Sequence, residues 1–311
     1  MSQTPKVCVV GSSNYDVTTF VPSLPAPGES LRGSRLVTGC GGKGSNQAVM
    51  SALLGASVSF VSRVGDDFFG DEVIRRMQSF GIDTMGIRKT AGVPTGVATI
   101  AVDDAGENAI IVVTGANDHL SASDVEASRS VIESADVLVC QLEVPLDSTL
   151  AALRIARSAG VTTVLNPAPA LPSLPDEALE LSDYFCPNET EAEQLSGEAV
   201  KSAKDAETAT ATFRRRGAGN VLVTLGAGGA VLTTESETRH LPADTVAARD
   251  SSGAGDACMG SFAFFLAAGH DAFESAARAV RVATQSVLRD GTQSSYPNAQ
   301  ELPAGLLDSP S

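Results

Sequence analysis

The chain has no tryptophan, three histidines and 5% aromatic residues in 311 positions. That leaves little material for an aromatic clamp around a base. His119, His240 and His270 stand in no H-E-x-x-H spacing, and no G-x-S-x-G elbow occurs. Hydrolysis by a His-assisted nucleophile or a His-bound metal is therefore not expected, and each histidine reads as a solvated loop or element-end residue. Cysteine is sparse as well. Cys8, Cys40, Cys140, Cys186 and Cys258 are odd in number and show no C-x-x-C spacing, which argues for reduced thiols in a cytosolic-type compartment. Positive charge is short: 22 Lys and Arg oppose 37 Asp and Glu, a net −15. Neither nucleic acid nor an anionic membrane surface is expected as a partner. A helix N-terminus can still hold a phosphate without a basic surface. No apolar run is long enough to span a bilayer, nothing at the N-terminus resembles a signal peptide, and the C-terminal Asp308-Ser309-Pro310-Ser311 is no peroxisomal signal. The expected location is cytoplasmic.

What is present is 43% hydrophobic residues, enough for a sizeable core. Short β-type runs (Lys6–Gly11, Val58–Val64, Asp136–Gln141, Val161–Asn166, Tyr184–Pro187, Asn220–Leu225) alternate with helical patterns at Gly70–Phe80, Ser123–Ser134, Asp147–Ala159 and Ala203–Arg216. This alternation implies an α/β fold with a central, mostly parallel β-sheet flanked by helices, in one domain over 1–311. Ligands of such sheets bind beyond the carboxyl ends of the strands. The polar clusters Ser13–Asp16, Glu143, Asn166–Pro169 and Asn188–Glu191 all follow strands and can converge on one edge. Two segments break the alternation. Thr18–Thr38 carries Pro22, Pro25, Pro27 and Gly28 before β-type residues, and Thr95–Thr114 reads as a hairpin turning at Asp104–Glu107. Together, over about 15–40 and 93–115, they are expected to form a small β-sheet lid, although an edge hairpin fits the second segment equally. The residues from about Pro303 onward read as frayed.

Asp250-Ser251-Ser252-Gly253-Ala254-Gly255-Asp256-Ala257 precedes an apolar run, Met259–Leu266, that reads as a buried helix. The small residues then fall in the turn opening that helix, where backbone N–H groups lack partners and the dipole favours negative charge. A carboxylate there would repel phosphate, so Asp256 suits a general base that takes a proton from an attacking hydroxyl. A Gly-rich turn with a capping Asp accounts for the same residues when they are read alone. Gly39–Gln47 precedes a helix read over Ala48–Leu54. It is no P-loop, because Gly44 follows Lys43 where Ser or Thr is required and Val37 replaces the first Gly. Close backbone approach remains, with Lys43 and Asn46 suited to a polyhydroxylated ligand. Thr224–Gly229 follows a strand; its bare backbone is either a seat for a flat group or a tight turn between strands.

Read in order, G-G-K-G-x-N at Gly41–Asn46, N-x-x-E at Asn188–Glu191, T-L-G-x-x-G at Thr224–Gly229 and D-x-x-G-A-G-D at Asp250–Asp256 make the chain resemble the ribokinase branch of the PfkB-type carbohydrate kinase family. The resemblance covers roughly Val7 to Pro297. It implies a Rossmann-type three-layer fold with a β lid, and ATP-dependent phosphorylation of ribose at O5. Asp256 would be the general base and Gly253, Ala254 and Gly255 the anion hole. Asn14, Asp16, Gly42, Lys43, Asn46 and Glu143 would hold the sugar, and Asn188, Thr224, Gly226, Gly229 and Gly255 the nucleotide. Asn188 and Glu191 would organise Mg²⁺ through water. Asp250, Ser252, Ser286, Arg289, Gly291 and Ser295 match a K⁺ site built mostly of backbone carbonyls. One departure is Val280-Arg281-Val282, where relatives often carry a polar side chain facing adenine. Within this class 2-deoxyribose, fructose and nucleoside acceptors are alternatives; outside it, a non-catalytic sugar-binding protein is the rival. A homodimer through the outward Val and Ile residues of the lid strands is expected.

Overall fold

A computed structural model describes residues 4–308. The first half contains β1 (Lys6–Val10), β2 (Asn14–Phe20), β3 (Arg35–Gly41), α1 (Lys43–Leu53), β4 (Ser57–Gly65), α2 (Phe68–Ser79), β5 (Asp83–Thr90), β6 (Gly96–Val102) and β7 (Asn108–Val113). A 3₁₀ turn at Gly115–His119 leads to α3 (Ala122–Ala127), α4 (Arg129–Glu133), β8 (Val137–Cys140), α5 (Leu146–Ala159) and β9 (Thr162–Leu165). The chain continues through α6 (Asp176–Glu180), β10 (Tyr184–Phe185), α7 (Glu189–Ser196), α8 (Ala203–Arg215) and β11 (Asn220–Thr224). Then come β12 (Ala230–Thr233), β13 (Thr238–Leu241), α9 (Ala254–Ala267) and α10 (Ala272–Ser286).

Nine strands form the large sheet in the order β13-β12-β11-β10-β9-β8-β1-β4-β5. All its pairings are parallel except β11–β12 and β12–β13. Buried on both faces, its central strands need continuous apolar runs, and β8 reads Val-Leu-Val-Cys, all buried. Strand alternation sorts these side chains into two cores. Cys8, Val10, Leu138 and Cys140 pack with Ile132, Leu153 and Phe213 of α4, α5 and α8. Val7, Val9, Val137 and Val139 pack with Met50, Met77, Phe262 and Val282 of α1, α2, α9 and α10. The result is three layers, helices over sheet over helices. A separate four-stranded sheet, β3-β2-β6-β7, occupies the segments that broke the alternation.

Several expectations change. The small sheet begins a residue before the expected lid, since Asn14 opens β2 and pairs with Gly41 and Gly96. The helix read from Ala48 begins at Lys43, because β3 delivers the chain to Gly41 with no intervening loop. The helix over Ser123–Ser134 is two short ones, interrupted at Ser128, whose φ of −105° leaves the helical region and whose hydroxyl donates to Asp124 O at 3.2 Å. β5 gave no signal, since this edge strand carries charged residues and Gly86 in place of an apolar run. His270 is buried rather than solvated, with Nδ1 3.2 Å from Glu274 Oε2. Pro303 does not begin a frayed end: Leu306 is 1% exposed, and Arg278 donates to its carbonyl at 2.7 Å.

Helices α1 and α9 cross at unusually close range at Gly260. A Cβ there would lie 2.5 Å from Gln47 O and 2.8 Å from Met50 Cβ, and Ser51 Oγ donates to Gly260 O at 2.8 Å. Both helices carry site residues in their first turns, so this contact sets the site. Gly260→Ala is expected to cost about 1–3 kcal/mol by overpacking, read as a lowered urea midpoint with unchanged slope.

Candidate active site

At the carboxyl ends of β9, β10 and β11 lies a cleft of ≈190 Å³ lined by Lys43, Asn166, Ala168, Cys186, Asn188, Glu191, Thr224, Gly253, Gly255, Asp256 and Met259. Sequence motifs far apart in the chain therefore meet at one place. A larger cavity, ≈510 Å³, opens at the amino ends of the same strands beside Arg157, Asp183, Tyr184 and His270, and holds none of the expected residues.

Gly253 is the N-cap of α9 with φ +74°, and an added Cβ would collide with Thr292 and lie 2.8 Å from Tyr296 Oη. Only glycine meets both demands. Ala254 N–H turns back to Ser251 O at 3.2 Å, and the first i→i−4 bond of the helix is made by Ala257 N–H to Gly253 O at 2.8 Å. Gly255 and Asp256 thus stand in the first turn, where N–H groups face outward. Asp256 is 7% exposed. Its two carboxylate oxygens accept from Asn46 Nδ2 at 2.9 Å and Gln47 Nε2 at 3.0 Å.

Around it the charges alternate. Lys43, first residue of α1, is held above the usual lysine range chiefly by Asp256, with Glu143 and Glu191 adding to it against the effect of burial. Glu143 accepts from Lys43 N at 2.9 Å and from Ser12 Oγ at 2.6 Å. Glu191 closes a capping box on α7: its carboxylate accepts from Asn188 N at 2.9 Å and Asn188 Nδ2 at 3.0 Å, while Asn188 Oδ1 accepts from Glu191 N at 2.8 Å. Burial pushes its carboxyl upward, partly offset by the Asn188 N–H and Lys43. The pair is at once a helix cap and a wall of the cleft.

On the small sheet Asn14 is buried and Asp16 half-buried. Asn117, on which the sequence placed no weight, fixes the first of them. It accepts from Ser13 N at 2.9 Å and donates to Asn14 Oδ1 at 2.8 Å. Burial, with a contribution from Glu143, raises the Asp16 carboxyl to about 6. Gly42, with φ +89°, joins this half to α1.

Thr224 ends β11 beside Asn188, and the loop after it is closed by Leu225 N–H to Gly229 O at 2.8 Å. Gly226 and Gly229, both at positive φ, shape that loop, and His240 Nε2 lies 2.7 Å from Gly228 O. Val280 is buried in the core and Arg281 is exposed.

Behind the α9 turn, Asp250 ties two segments together, accepting from Ser252 N at 2.9 Å and Gly291 N at 2.8 Å. Burial works to raise this carboxyl, but the hydrogen bonds prevail and hold it below the usual range. Ser286 and Ser295 are buried there with hydroxyls donating to Ala283 O and Thr292 O, both at 2.8 Å. The Arg289 side chain leaves the site for Glu301 at 2.9 Å. Tyr296 Oη donates to Gly253 O at 2.9 Å, bracing the turn from below. Neither Tyr296 nor Gln293, Gln141 or Asn117 belongs to a recognisable motif, and no local signal could have found them.

Residues 4–299 match the pfkB family carbohydrate kinase description, and the chain belongs to that family. It is 41% identical over 305 residues to a ribokinase of Mus musculus, covering 97% of this chain and 94% of that one. It is 38% identical over 295 residues to a deoxyribokinase of Salmonella typhimurium, covering 95% and 96%. The solved structure of Arabidopsis thaliana ribokinase complexed with ribose and ATP matches with a TM-score of 0.89 at 29% identity, over 98% of this chain and 99% of the other.

The raised Asp16 carboxyl has a stability consequence. Its folded form prefers the proton, so stability should fall as pH rises from about 4 through about 6. Asp16→Asn is expected to remove that slope and to stabilise the free protein at pH 7.5 by about 3 kcal/mol, measured by urea unfolding at pH 4 and pH 7.5.

Proposed function

We propose that this chain is an ATP-dependent ribokinase, transferring the γ-phosphoryl group of ATP to O5 of D-ribose and releasing ADP. The observation that carries the reading is Asp256: a buried carboxylate in the first turn of α9, next to Gly255 and across the cleft from Lys43. Its relatives named ribokinase and the ribose and ATP complex at high structural similarity support the substrates.

In this reading the sugar lies against Asn14, Asp16, Gly42, Lys43, Asn46 and Glu143. Carboxylates and amides pair with vicinal hydroxyls and reject analogues that lack them. Asp256 takes the O5 proton as O5 bonds to the γ-phosphorus and the bond to the bridging oxygen of ADP breaks. The Gly253-Ala254-Gly255 turn faces the transferred group, and positioning with electrostatic stabilisation supplies most of the rate. Thr224, Gly226 and Gly229 seat the nucleotide, and the small sheet acts as a lid. Among the described residues no cluster of three His, Cys, Asp or Glu could hold a metal. Mg²⁺ keeps much of its water shell; Asn188 and Glu191 would reach it through water, and it would neutralise phosphate charge. Hard oxygen donors around Asp250, Ser252, Ser286, Arg289, Gly291 and Ser295 suit K⁺, which would brace the turn below Gly253. A cytoplasmic location is part of the same reading; among the described residues no helix is long and apolar enough to cross a membrane. A second acceptor, 2-deoxyribose, is favoured over fructose by the similarity to a deoxyribokinase.

ADP release should be fast with ribose, ATP and Mg²⁺, and faster in K⁺ than in Na⁺. Asp256→Asn should lower kcat by roughly 10²–10⁴-fold while ribose still binds by calorimetry; unchanged turnover would remove Asp256 as the base. The edge strands of the small sheet, β3 and β7, expose Leu36, Val37, Ile110, Ile111, Val112 and Val113 on alternating faces, apolar surface that a second copy would cover. Sedimentation should give a dimer mass at micromolar concentration, and Ile111→Lys a monomer.

A further inference from the structure

Gln47 closes the G-G-K-G-S-N-Q segment, yet it lines no part of the cleft and is fully buried. Its Nε2 donates to Asp256 Oδ1 at 3.0 Å and Asn166 Oδ1 at 3.2 Å, and its Oε1 accepts from Gln141 Nε2 at 2.6 Å. The other carboxylate oxygen is served in the same way. Asn46 Nδ2 donates to Asp256 Oδ2, and Asn46 Oδ1 accepts from Gln293 Nε2 at 3.0 Å. Two amide chains thus run outward from one carboxylate, every NH₂ group turned toward it.

The direction is dictated by chemistry. An ionised carboxylate only accepts, so the first amide must present its NH₂ group and turn its oxygen away, and the second must then do the same. Both chains end in a cost. Among the described residues, Gln141 Oε1 and Gln293 Oε1 are buried without a partner, and an unpartnered buried acceptor is unfavourable. Reversing the outer amides would satisfy neither end, because the inner amides offer only oxygen.

We propose that Gln47, anchored by Gln141, and Gln293, acting through Asn46, are positioning residues that fix the rotation of the Asp256 carboxylate for phosphoryl transfer. The inference rests on the reading of Asp256 as the base. Gln47 and Asn46 are neighbours on α1, so two donors from one rigid turn grip both oxygens and hold the carboxylate plane. Each oxygen keeps a lone pair for the sugar hydroxyl. Freed from one donor, the group could rotate about its terminal bond and mis-aim the proton transfer without disturbing the sugar contacts.

The test is steady-state kinetics with ribose and MgATP on the full chain. Gln47→Leu should lower kcat about 10- to 100-fold, the scale expected for a misplaced catalytic group, with the KM for ribose within about twofold. Gln141→Leu should give a smaller loss and add nothing in the Gln47→Leu background, because it acts only through Gln47. Gln47→Glu, of the same shape but offering oxygen to Asp256, should be worse than Gln47→Leu, and covers the case in which the leucine variant does not fold. A folded Gln47→Leu or Gln47→Glu with wild-type kcat overturns the inference, as do losses that multiply in the double variant. Wild-type protein that phosphorylates no sugar overturns the functional reading and this inference together; active wild type with unaffected variants overturns the inference alone.

Discussion

The burial of Asp256 between the first turns of α1 and α9 is the constraint around which this molecule is arranged. A carboxylate at 7% exposure must be met by donors or by positive charge. Here it has two amide donors, a lysine across the cleft and the positive end of its own helix. The two amides and the lysine all come from α1, and the close crossing at Gly260 sets how near that helix lies to α9. That crossing brings Gln47 and Asn46 within reach of a residue more than two hundred positions later.

The same logic repeats around the cleft. Helices α1, α7 and α9 all begin there, and a carboxylate stands at each start: Glu143, from the loop after β8, on the Lys43 N–H of α1, Glu191 in the capping box of α7, and Asp256 in the first turn of α9. Acids at helix N-termini are stabilising, and outward N–H groups at the same termini are anion sites. A chain with net charge −15 can thus build a phosphate-binding cleft without a basic surface. The parallel strands β9, β10 and β11 set the positions, because their carboxyl ends deliver Asn166, Cys186 and Thr224 to one wall.

How much of this was legible depended on whether a signal was local. The α9 turn was readable because its glycines and its aspartate sit in one stretch and the required conformation, φ +74° at Gly253, is written into residue choice. The central strands were readable as apolar runs, and the capping box of α7 as Asn188 and Glu191 at the proper spacing. β2 was less so: Asn14-Tyr15-Asp16 carries no apolar alternation, and its strand character comes from pairing with Gly39–Gly41 and Gly96–Ala98, remote in sequence. Asn117, Gln141 and Gln293 were invisible for a related reason. An amide has no intrinsic role, and its meaning is the partner that tertiary structure supplies. Motif order therefore reveals the residues that face the cleft, whereas those behind them appear only when the chain is folded.

The charge count around the cleft bears on what can enter it. Lys43 is set among Asp256, Glu143 and Glu191. A bare triphosphate brought against three carboxylates would meet net repulsion, and helix N-termini, at about half a charge each, offset only part of it. A phosphate ligand arriving with its own divalent cation would meet less of this repulsion. The acids that make the cleft unwelcoming to a lone anion would thus tilt it toward one already paired with a cation.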